Sequence, residues 1–210
     1  MIHVQAIEIP GVGENTYILS QDNQSALVID PGGQADYLLH ILKTQNLQPQ
    51  AILLTHGHFD HIGAVDDLRN HYQIPVYIHA LEADFLTQPE KNLSALFPGM
   101  AITQGAPDHV WTEMGHQQVG DFDMILHHVP GHSPGSVVYQ FEADRFIIAG
   151  DTLFKGSIGR TDFPGGSYAT LITGIQDHLL TLADDYRVYP GHGPETTIGL
   201  ERQFNGFIKG

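Results

Sequence analysis

The apolar run from Ala51 to Leu54 leads directly into residues 55–61, a segment that contains three histidines and one aspartate. These side chains are His56, His58, Asp60 and His61. Imidazoles placed so close together repel one another when protonated and need partners when desolvated. A divalent metal ion resolves this conflict, because neutral imidazole and carboxylate are common ligands of zinc and other first-row metals. The segment therefore predicts a metal site at the end of a strand, with a merely His-rich surface loop as the alternative.

Three further segments carry the same chemistry, each beside a strand-like stretch and each flanked by glycine or proline. They contain His132 (residues 130–135), Asp151 (residues 148–152) and His192 (residues 189–193). Loops at strand ends are where rigid scaffolds present functional groups. One Gly-His pair is usually only a turn, but the four segments together supply five histidines and two aspartates. This set is large enough to hold two metal ions that share a carboxylate and still bind water.

The order His-x-His-x-Asp-His, Gly-His, Gly-Asp-Thr and Gly-His resembles that of the metallo-β-lactamase superfamily, and the resemblance runs from residue 28 to residue 193. Residues 150–154 (Gly-Asp-Thr-Leu-Phe) and 159–163 (Gly-Arg-Thr-Asp-Phe) are similar to glyoxalase II-like, or hydroxyacylglutathione hydrolase-like, proteins. The resemblance implies an α/β fold, the metallo-β-lactamase αβ/βα sandwich, in which two mixed β-sheets are flanked by helices. Because no Pro- or Ser-rich linker divides the chain, one domain over residues 1–210 is expected.

The resemblance also implies a ligand set for a binuclear site. The first ion would be held by His56, His58 and His132, the second by Asp60, His61 and His192, and Asp151 would bridge them. Two divalent ions per chain are expected, with zinc as the first choice and iron or manganese as alternatives. Two cations about 4 Å apart lower the pKa of a shared water towards neutrality. The expected nucleophile is therefore a metal-bridging hydroxide, with Asp60 and Asp151 as the catalytic carboxylates.

The similarity to glyoxalase II-like proteins implies hydrolysis of 2-hydroxyacyl thioesters such as S-lactoylglutathione. Arg160 stands where the family has a basic residue for the carboxylate of the thiol, and its planar fork suits that group. The alternative is a structural arginine paired with Asp162. Only 18 residues follow His192, fewer than the C-terminal helical domain that grips glutathione in longer glyoxalase II enzymes would need, so glutathione recognition is left open.

Two other function classes fit the same motifs. Persulfide dioxygenases also resemble this chain, including a Gly-Arg-Thr-Asp segment, but they use one iron held by two histidines and one aspartate. A metal-holding module without turnover is the third alternative. The number and identity of the bound metal ions would separate the hydrolase from the dioxygenase. Two ions per chain favour hydrolysis, and one iron with oxygen uptake favours the dioxygenase.

Charge and cysteine content narrow the list of partners. With 24 acidic and nine basic residues the formal charge is −15, so no nucleic-acid partner is expected. Cysteine is absent, which excludes thiolate ligands and argues against those β-lactamases that use a cysteine in the second metal site. The start lacks a signal-like pattern, and no stretch approaches the roughly 20 apolar residues of a membrane span. A cytoplasmic protein with a small-molecule thioester as partner, and no membrane association, is expected; its oligomeric state is left open.

Hydrophobic periodicity predicts alternating strands and helices. Strands are expected at residues 4–9, 16–20, 26–30, 51–54, 76–78, 124–129, 136–141, 145–149 and 187–189, and helices at 34–45, 62–72 and 168–182, with short helices at 81–86 and 93–97. Helix 34–45 is expected to bury Tyr37, Leu38, Ile41 and Leu42. Turns are expected at residues 13–15 and 22–23, and Pro49 is expected to lie in the connection that precedes the strand at 51–54.

Several residues receive supporting roles or none. Asp30 is expected to orient a ligand histidine, as metal sites commonly require. Ser133, Ser136 and Ser157 are interpreted as turn or supporting residues, with no nucleophilic role. Asp66 and Asp67 are expected to face solvent, and the other nine histidines to be surface or supporting residues. Residues 80–120 show no chemistry in the sequence and are expected to form either a lid or a packing insertion.

Overall fold

The structure, a computed structural model, describes residues 1–208. The chain forms two compact units. The first contains residues 1–112 and 119–122, and the second contains residues 113–118 and the chain from residue 123 onward. None of the helices in residues 1–208 combines the length and the apolar character needed to cross a membrane.

The first unit is built on a six-stranded mixed sheet whose strands follow one another in chain order. Its strands are β1 (His3–Ile9), β2 (Glu14–Ser20), β3 (Ser25–Ile29), β4 (Gln48–Leu53), β5 (Val76–His79) and β6 (His109–Trp111). Strands β1 to β3 form the expected antiparallel meander. From β3 to β6 the pairing is parallel, because a helix or a long segment returns the chain between successive strands.

Three helices belong to the first unit: α1 (Ala35–Thr44), α2 (Phe59–Ile62) and α3 (Val65–Tyr72). Helix α1 buries Leu38 and Leu42 in the same apolar cluster as Val65 and Leu68 of α3, as the periodicity predicts. The prediction that Tyr37 is buried is wrong, since this side chain is 54% exposed. The predicted helix at residues 62–72 is divided into α2 and α3.

Other predictions in the first unit also need correction. Glu14 and Asn15 are not turn residues but the first residues of β2. Pro49 lies within β4, next to a register shift against β3, where a residue without an N–H is tolerated. Residues 80–120 hold only two short 3₁₀ turns, Ala80–Glu82 and Ser94–Leu96, but they also contain a strand of each sheet. Residues 109–119, which carry these two strands, are therefore part of the framework and not an insertion alone.

The second unit also contains a six-stranded mixed sheet, in the order β14-β13-β10-β9-β8-β7. Its strands are β7 (Gly115–Val119), β8 (Phe122–His128), β9 (Val137–Phe141), β10 (Phe146–Gly150), β13 (Arg187–Pro190) and β14 (Thr196–Thr197), and a separate hairpin is formed by β11 (Leu153–Phe154) and β12 (Ser157–Ile158). Strands β8, β9, β10 and β13 confirm the predicted strands within one or two residues at each end.

The helices of the second unit are α4 (Tyr168–Gly174) and α5 (Ile198–Phe204). Ser167 and Thr197 cap them, each accepting a hydrogen bond from a backbone N–H of the first turn. The predicted helix at residues 168–182 is only partly correct, because α4 passes into a wider π-type turn at Ile175–Leu179. Two mixed sheets flanked by helices are thus present, as the sequence predicts.

Strand direction places predicted site residues of each unit together at one sheet edge. β3 and β4 are parallel neighbours, so Asp30, which follows β3, and the segment that follows β4 emerge together. β10 and β13 are also parallel neighbours, so Asp151 and His192 emerge together in the second unit. Backbone hydrogen bonds join the ends of these neighbouring strands, from Asp30 N to Leu53 O at 3.1 Å and from Gly191 N to Gly150 O at 2.8 Å.

Candidate metal centre

Asp30 is the carboxylate around which the metal-binding segment of the first unit is organised. Its Oδ2 accepts a hydrogen bond from His61 Nδ1 at 3.0 Å, and its Oδ1 accepts from the backbone N–H of Thr55 at 2.7 Å. The residue has a left-handed backbone with φ 47°, a conformation that aspartate tolerates better than most residues. The geometry agrees with the expectation that Asp30 orients a ligand histidine.

The hydroxyl of Thr55 extends this arrangement to His56. Thr55 Oγ1 donates to Asp30 Oδ2 at 2.5 Å and lies 3.1 Å from His56 Nδ1, which can donate to it. Asp30 therefore engages the Nδ1 atoms of both His61 and His56, one directly and one through Thr55. A hydrogen bond at one ring nitrogen fixes the tautomer and directs the other nitrogen, Nε2, towards a metal.

Glu14 is a second buried carboxylate beside His61. Its Oε1 lies 3.9 Å from His61 Nδ1, and its Oε2 accepts from Thr16 Oγ1 at 3.1 Å. Burial raises the pKa of the Glu14 carboxyl well above its usual range, while the imidazole of His61 acts in the opposite direction. The sequence gives no signal for this residue once residues 13–15 are assigned to a turn.

Glu82 is a third buried carboxylate at this site, and the second, after Glu14, that sequence reasoning missed. It is fully buried, and its Oε2 accepts from the backbone N–H of Gly57 at 2.6 Å. Gly57 lies between His56 and His58, so residues 80–120 contact the metal-binding segment directly. The expectation that this stretch carries no chemistry is therefore wrong at Glu82.

In the second unit, Asp151 lies between two imidazoles. Its Oδ2 is 3.5 Å from His132 Nε2 and 3.6 Å from His192 Nε2. His132 Nδ1 donates to the backbone carbonyl of Arg160 at 2.8 Å, which again directs Nε2 of that ring towards the carboxylate. The three residues that the sequence predicts as ligands in this unit are thus brought together.

Close backbone packing fixes the position of Asp151. Gly150 has φ 50° and follows a register shift in the pairing of β10 with β13, an irregularity that re-aims the next side chain. A Cβ at Gly159 would lie 1.8 Å from the carbonyl oxygen of Asp151 and 3.2 Å from Cβ of His132. Only glycine fits there, so the Gly-Arg-Thr-Asp segment packs directly against two predicted ligands.

The donor sets of both units fit divalent metal ions. In the first unit, the imidazole of His56 lies beside those of His58 and His61, with ring centres 4.6 and 4.1 Å apart. All three side chains are buried, and Asp30 supports His56 and His61 from the Nδ1 side without being a proposed ligand. Asp60 Oδ2 is 3.9 Å from His61 Nε2. Imidazole nitrogens and carboxylate oxygens without thiolate suit zinc, iron and manganese. Burying this many such groups without a cation would be costly.

Arg160 forms an ion pair at the surface of the second unit. Its Nε and Nη2 donate to the two carboxylate oxygens of Asp162 at 2.7 and 2.6 Å, and the guanidinium carbon lies 4.0 Å from the centre of the Phe163 ring. The hydrogen bond from Arg160 holds the pKa of the Asp162 carboxyl down at about 2. The structure thus contains the pairing that the sequence leaves as the alternative to substrate binding, in a side chain that is 58% exposed.

Most of the remaining residues with supporting roles agree with expectation. Ser133 and Ser136 hydrogen-bond to each other at 2.7 Å in the buried turn beside His132. His127 bonds Gln140 at 2.7 Å, and burial lowers the pKa of its imidazole. Asp66 is a correction: it does not simply face solvent but accepts from Gly105 N at 2.8 Å and pairs with Arg69.

Comparison with known proteins assigns the chain to a family. The model of the metallo-beta-lactamase superfamily matches residues 9–192, a span that runs through both units. The chain belongs to the metallo-β-lactamase superfamily. Among curated relatives, the probable metallo-hydrolase YqgX of Bacillus subtilis is 43% identical over 93% of this chain and 92% of its own length. Hydroxyacylglutathione hydrolase GloC of Haemophilus influenzae is 34% identical over 99% of this chain and 98% of its own length.

Solved structures of the superfamily show the same fold. BLEG-1, a B3 metallo-beta-lactamase, has a TM-score of 0.97 at 42% identity, covering 99% of this chain and 100% of its own. TTHA1623 in a di-iron-bound form has a TM-score of 0.87 at 36% identity, covering 97% and 99%. ETHE1 from Myxococcus xanthus has a TM-score of 0.78 at 25% identity, covering 97% and 83%. The predicted metallo-β-lactamase fold is confirmed, and the family together with the His-rich cluster supports a metal-dependent hydrolase.

Proposed function

We propose that this chain is a binuclear-metal hydrolase that cleaves 2-hydroxyacyl thioesters of the S-lactoylglutathione type. The observation that carries the proposal is Asp151 between His132 and His192, a carboxylate placed to be shared, in a chain similar over nearly its whole length to a hydroxyacylglutathione hydrolase. We further propose that residues 1–210 act as one domain, because the family match runs through both units.

The proposed ligand set draws on both units. His56, His58 and His132 would hold the first ion, Asp60, His61 and His192 would hold the second, and Asp151 would be shared by both. When bound, two divalent ions supply Lewis-acid activation of the thioester carbonyl and of a nucleophilic water. Zinc is the proposed metal, and the di-iron form of TTHA1623 makes iron the first alternative to measure.

The chain's own groups orient the reaction and supply no covalent nucleophile. Asp30 and Thr55 fix the Nδ1 sides of His61 and His56, so these rings cannot turn to offer the wrong nitrogen. Asp60 and Asp151 are the proposed catalytic carboxylates. The serines nearest His132 satisfy each other's hydroxyls, so they are poorly placed to attack a carbonyl. A thiolate leaves readily and needs no strong acid.

Arg160 is the proposed contact for the carboxylate of the thiol portion. The pairing with Asp162 uses Nε and Nη2 of the guanidinium, and Nη1 takes no part in it. Its main chain also contacts His132, so a substrate held by this side chain would lie close to the second unit's ligands. The pairing with Asp162 presents the guanidinium plane in a fixed orientation on the Phe163 ring.

Thiol release by zinc-loaded protein tests the proposal. S-Lactoylglutathione should be hydrolysed at a rate that scales with bound metal up to two ions per chain. A chromogenic cephalosporin belongs in the same assay, because BLEG-1, a B3 metallo-beta-lactamase, is 42% identical to this chain. Cleavage of the cephalosporin with no release of thiol from any 2-hydroxyacyl thioester would contradict the proposed substrate class.

Persulfide dioxygenation is the second candidate. The likeness to ETHE1 at 25% identity favours it, and the Gly-Arg-Thr-Asp segment is common to the pattern of both classes. That reaction would use one iron held by two histidines and one aspartate. Oxygen uptake by iron-loaded protein with glutathione persulfide, at one iron per chain, would support this candidate over the hydrolase.

A further inference from the structure

Glu82 holds the backbone of the segment that carries two proposed ligands. The segment His56-Gly57-His58 presents its N–H at Gly57 to Glu82 Oε2 at 2.6 Å, and Glu82 is fully buried at the end of the 3₁₀ turn Ala80–Glu82. A hydrogen bond to a carboxylate is stronger than one to a neutral acceptor. A buried carboxylate in this position therefore restrains the only residue between the two imidazoles.

The packing around Gly57 leaves no space for the segment to move towards Glu82. A Cβ at Gly57 would lie 2.6 Å from Cβ of Phe85 and 3.3 Å from Cδ1 of Ile78. His58 also stacks on Phe85, with ring centres 6.5 Å apart. Glycine is required at position 57 because the backbone there packs against Ile78 in β5 and Phe85 after it.

A second hydrogen bond restrains the backbone directly after His58. The N–H of Phe59 donates to the carbonyl of Asn92 at 2.9 Å. Asn92 is itself fully buried, and its Nδ2 donates to the carbonyls of Phe85 and Ile102 at 2.9 Å each. The backbone N–H that follows each of the two histidines is thus engaged by residues 82–92.

We propose that Glu82 is a positioning residue that preorganises His56 and His58 for the first metal ion. It does not bind the metal; its acceptor oxygen fixes the intervening backbone, so that little conformational freedom is lost when the ion binds. The inference rests on the proposed ligand set. It assigns to residues 80–92 the role of a rigid support for the metal-binding segment.

Zinc binding to the metal-free protein tests this role without an activity assay. Zinc dissociation constants would be measured by competition with a chromophoric chelator, well below the unfolding temperature of each variant. Glu82→Ala should weaken the binding of the first ion by about 10- to 100-fold, the usual effect of losing a group that supports a ligand. Glu82→Gln keeps an acceptor oxygen and should recover at least half of that loss on a logarithmic scale.

Glu201 offers a matched control in the second unit. It is 2% exposed, its Oε2 accepts from the N–H of Gly156 at 2.8 Å, and its Oε1 accepts from Thr196 Oγ1 at 2.6 Å. Gly156 is not adjacent to any proposed ligand. Glu201→Ala should therefore destabilise the protein while leaving the zinc dissociation constant within about threefold of the wild-type value.

The outcomes separate positioning from general destabilisation. The proposal is overturned if Glu82→Ala binds zinc as tightly as the wild type, if Glu201→Ala loses as much affinity, or if the Gln variant is as weak as the Ala variant. Should Glu82→Ala not fold, Glu82→Asp replaces it, because its carboxylate ends one methylene short of Gly57. Failure of the proposed thioesterase activity would leave the wild-type affinity unchanged and is therefore distinguishable.

Discussion

Asp151 is the residue whose loss should change metal content most. Asp151→Ala removes a ligand proposed for both ions and leaves two cations repelling each other. The loss of affinity should exceed the roughly 100-fold that follows from removing a supporting group, so binuclear occupancy should collapse. Elemental analysis after dialysis measures this. Asp185→Ala is the control, since Asp185 is an exposed partner of Arg145 in the same unit. Two tightly held ions in Asp151→Ala would rule out the shared-ligand role.

Arg160 should affect substrate binding more than the chemical step. Arg160→Ala is expected to raise KM for a carboxylate-bearing thioester about two- to fivefold, the range of an exposed charged contact, with little change in kcat. Steady-state kinetics on a thioester that lacks the carboxylate provides the comparison. An equal effect on both substrates would identify Arg160 as a structural partner of Asp162 only.

The supporting residues differ in how far the sequence could reveal them. Asp30 ends an apolar stretch and could be placed beside the ligands from the strand pattern alone. Glu14 could not, because a glycine before it favours a turn, although the chain continues directly into β2. Glu82 contacts Gly57 across 25 positions of the chain. Such a contact depends on tertiary structure, for which no local spacing gives a signal.

At the scale of the element, α1 gives a direct test of which face of the helix is buried. Leu38 is fully buried, so Leu38→Ala should lower the free energy of unfolding by about 2–5 kcal/mol. The neighbouring Tyr37 is 54% exposed, and Tyr37→Ala should change stability by no more than about 0.5 kcal/mol. Urea unfolding measures both. Equal losses in the two variants would place Tyr37 in the core after all.

The same element shows where periodicity stops being informative. A spacing of three and four residues correctly selects Leu38, Ile41 and Leu42 as buried. Tyr37 is displaced by about 100° from Leu38 around the helix axis and falls at the edge of the buried stripe. Strands of two residues, such as β11 and β14, are too short to show any alternation. Element ends and very short strands therefore emerge only from pairing in the folded chain.

At the scale of the whole molecule, the order of the metal motifs predicted the family and the two mixed sheets. It could not predict the order of strands in the second sheet, where β13 pairs with β10 across more than 30 residues of intervening chain. Pairing at such distances depends on the packing of complete faces. The motif order nevertheless identified the edges at which parallel strands bring Asp30 beside Thr55 and Asp151 beside His192.

An anaerobic assay measures hydrolysis of a 2-hydroxyacyl thioester by the metal-loaded protein separately from any oxygen-dependent reaction. Purified protein loaded with two equivalents of zinc or manganese is mixed with S-lactoylglutathione, and free thiol is measured without oxygen. We expect steady thiol release from the wild-type protein and none from Asp151→Ala. Absence of thiol release, together with oxygen consumption by the iron-loaded protein and glutathione persulfide, would contradict the proposed hydrolase activity.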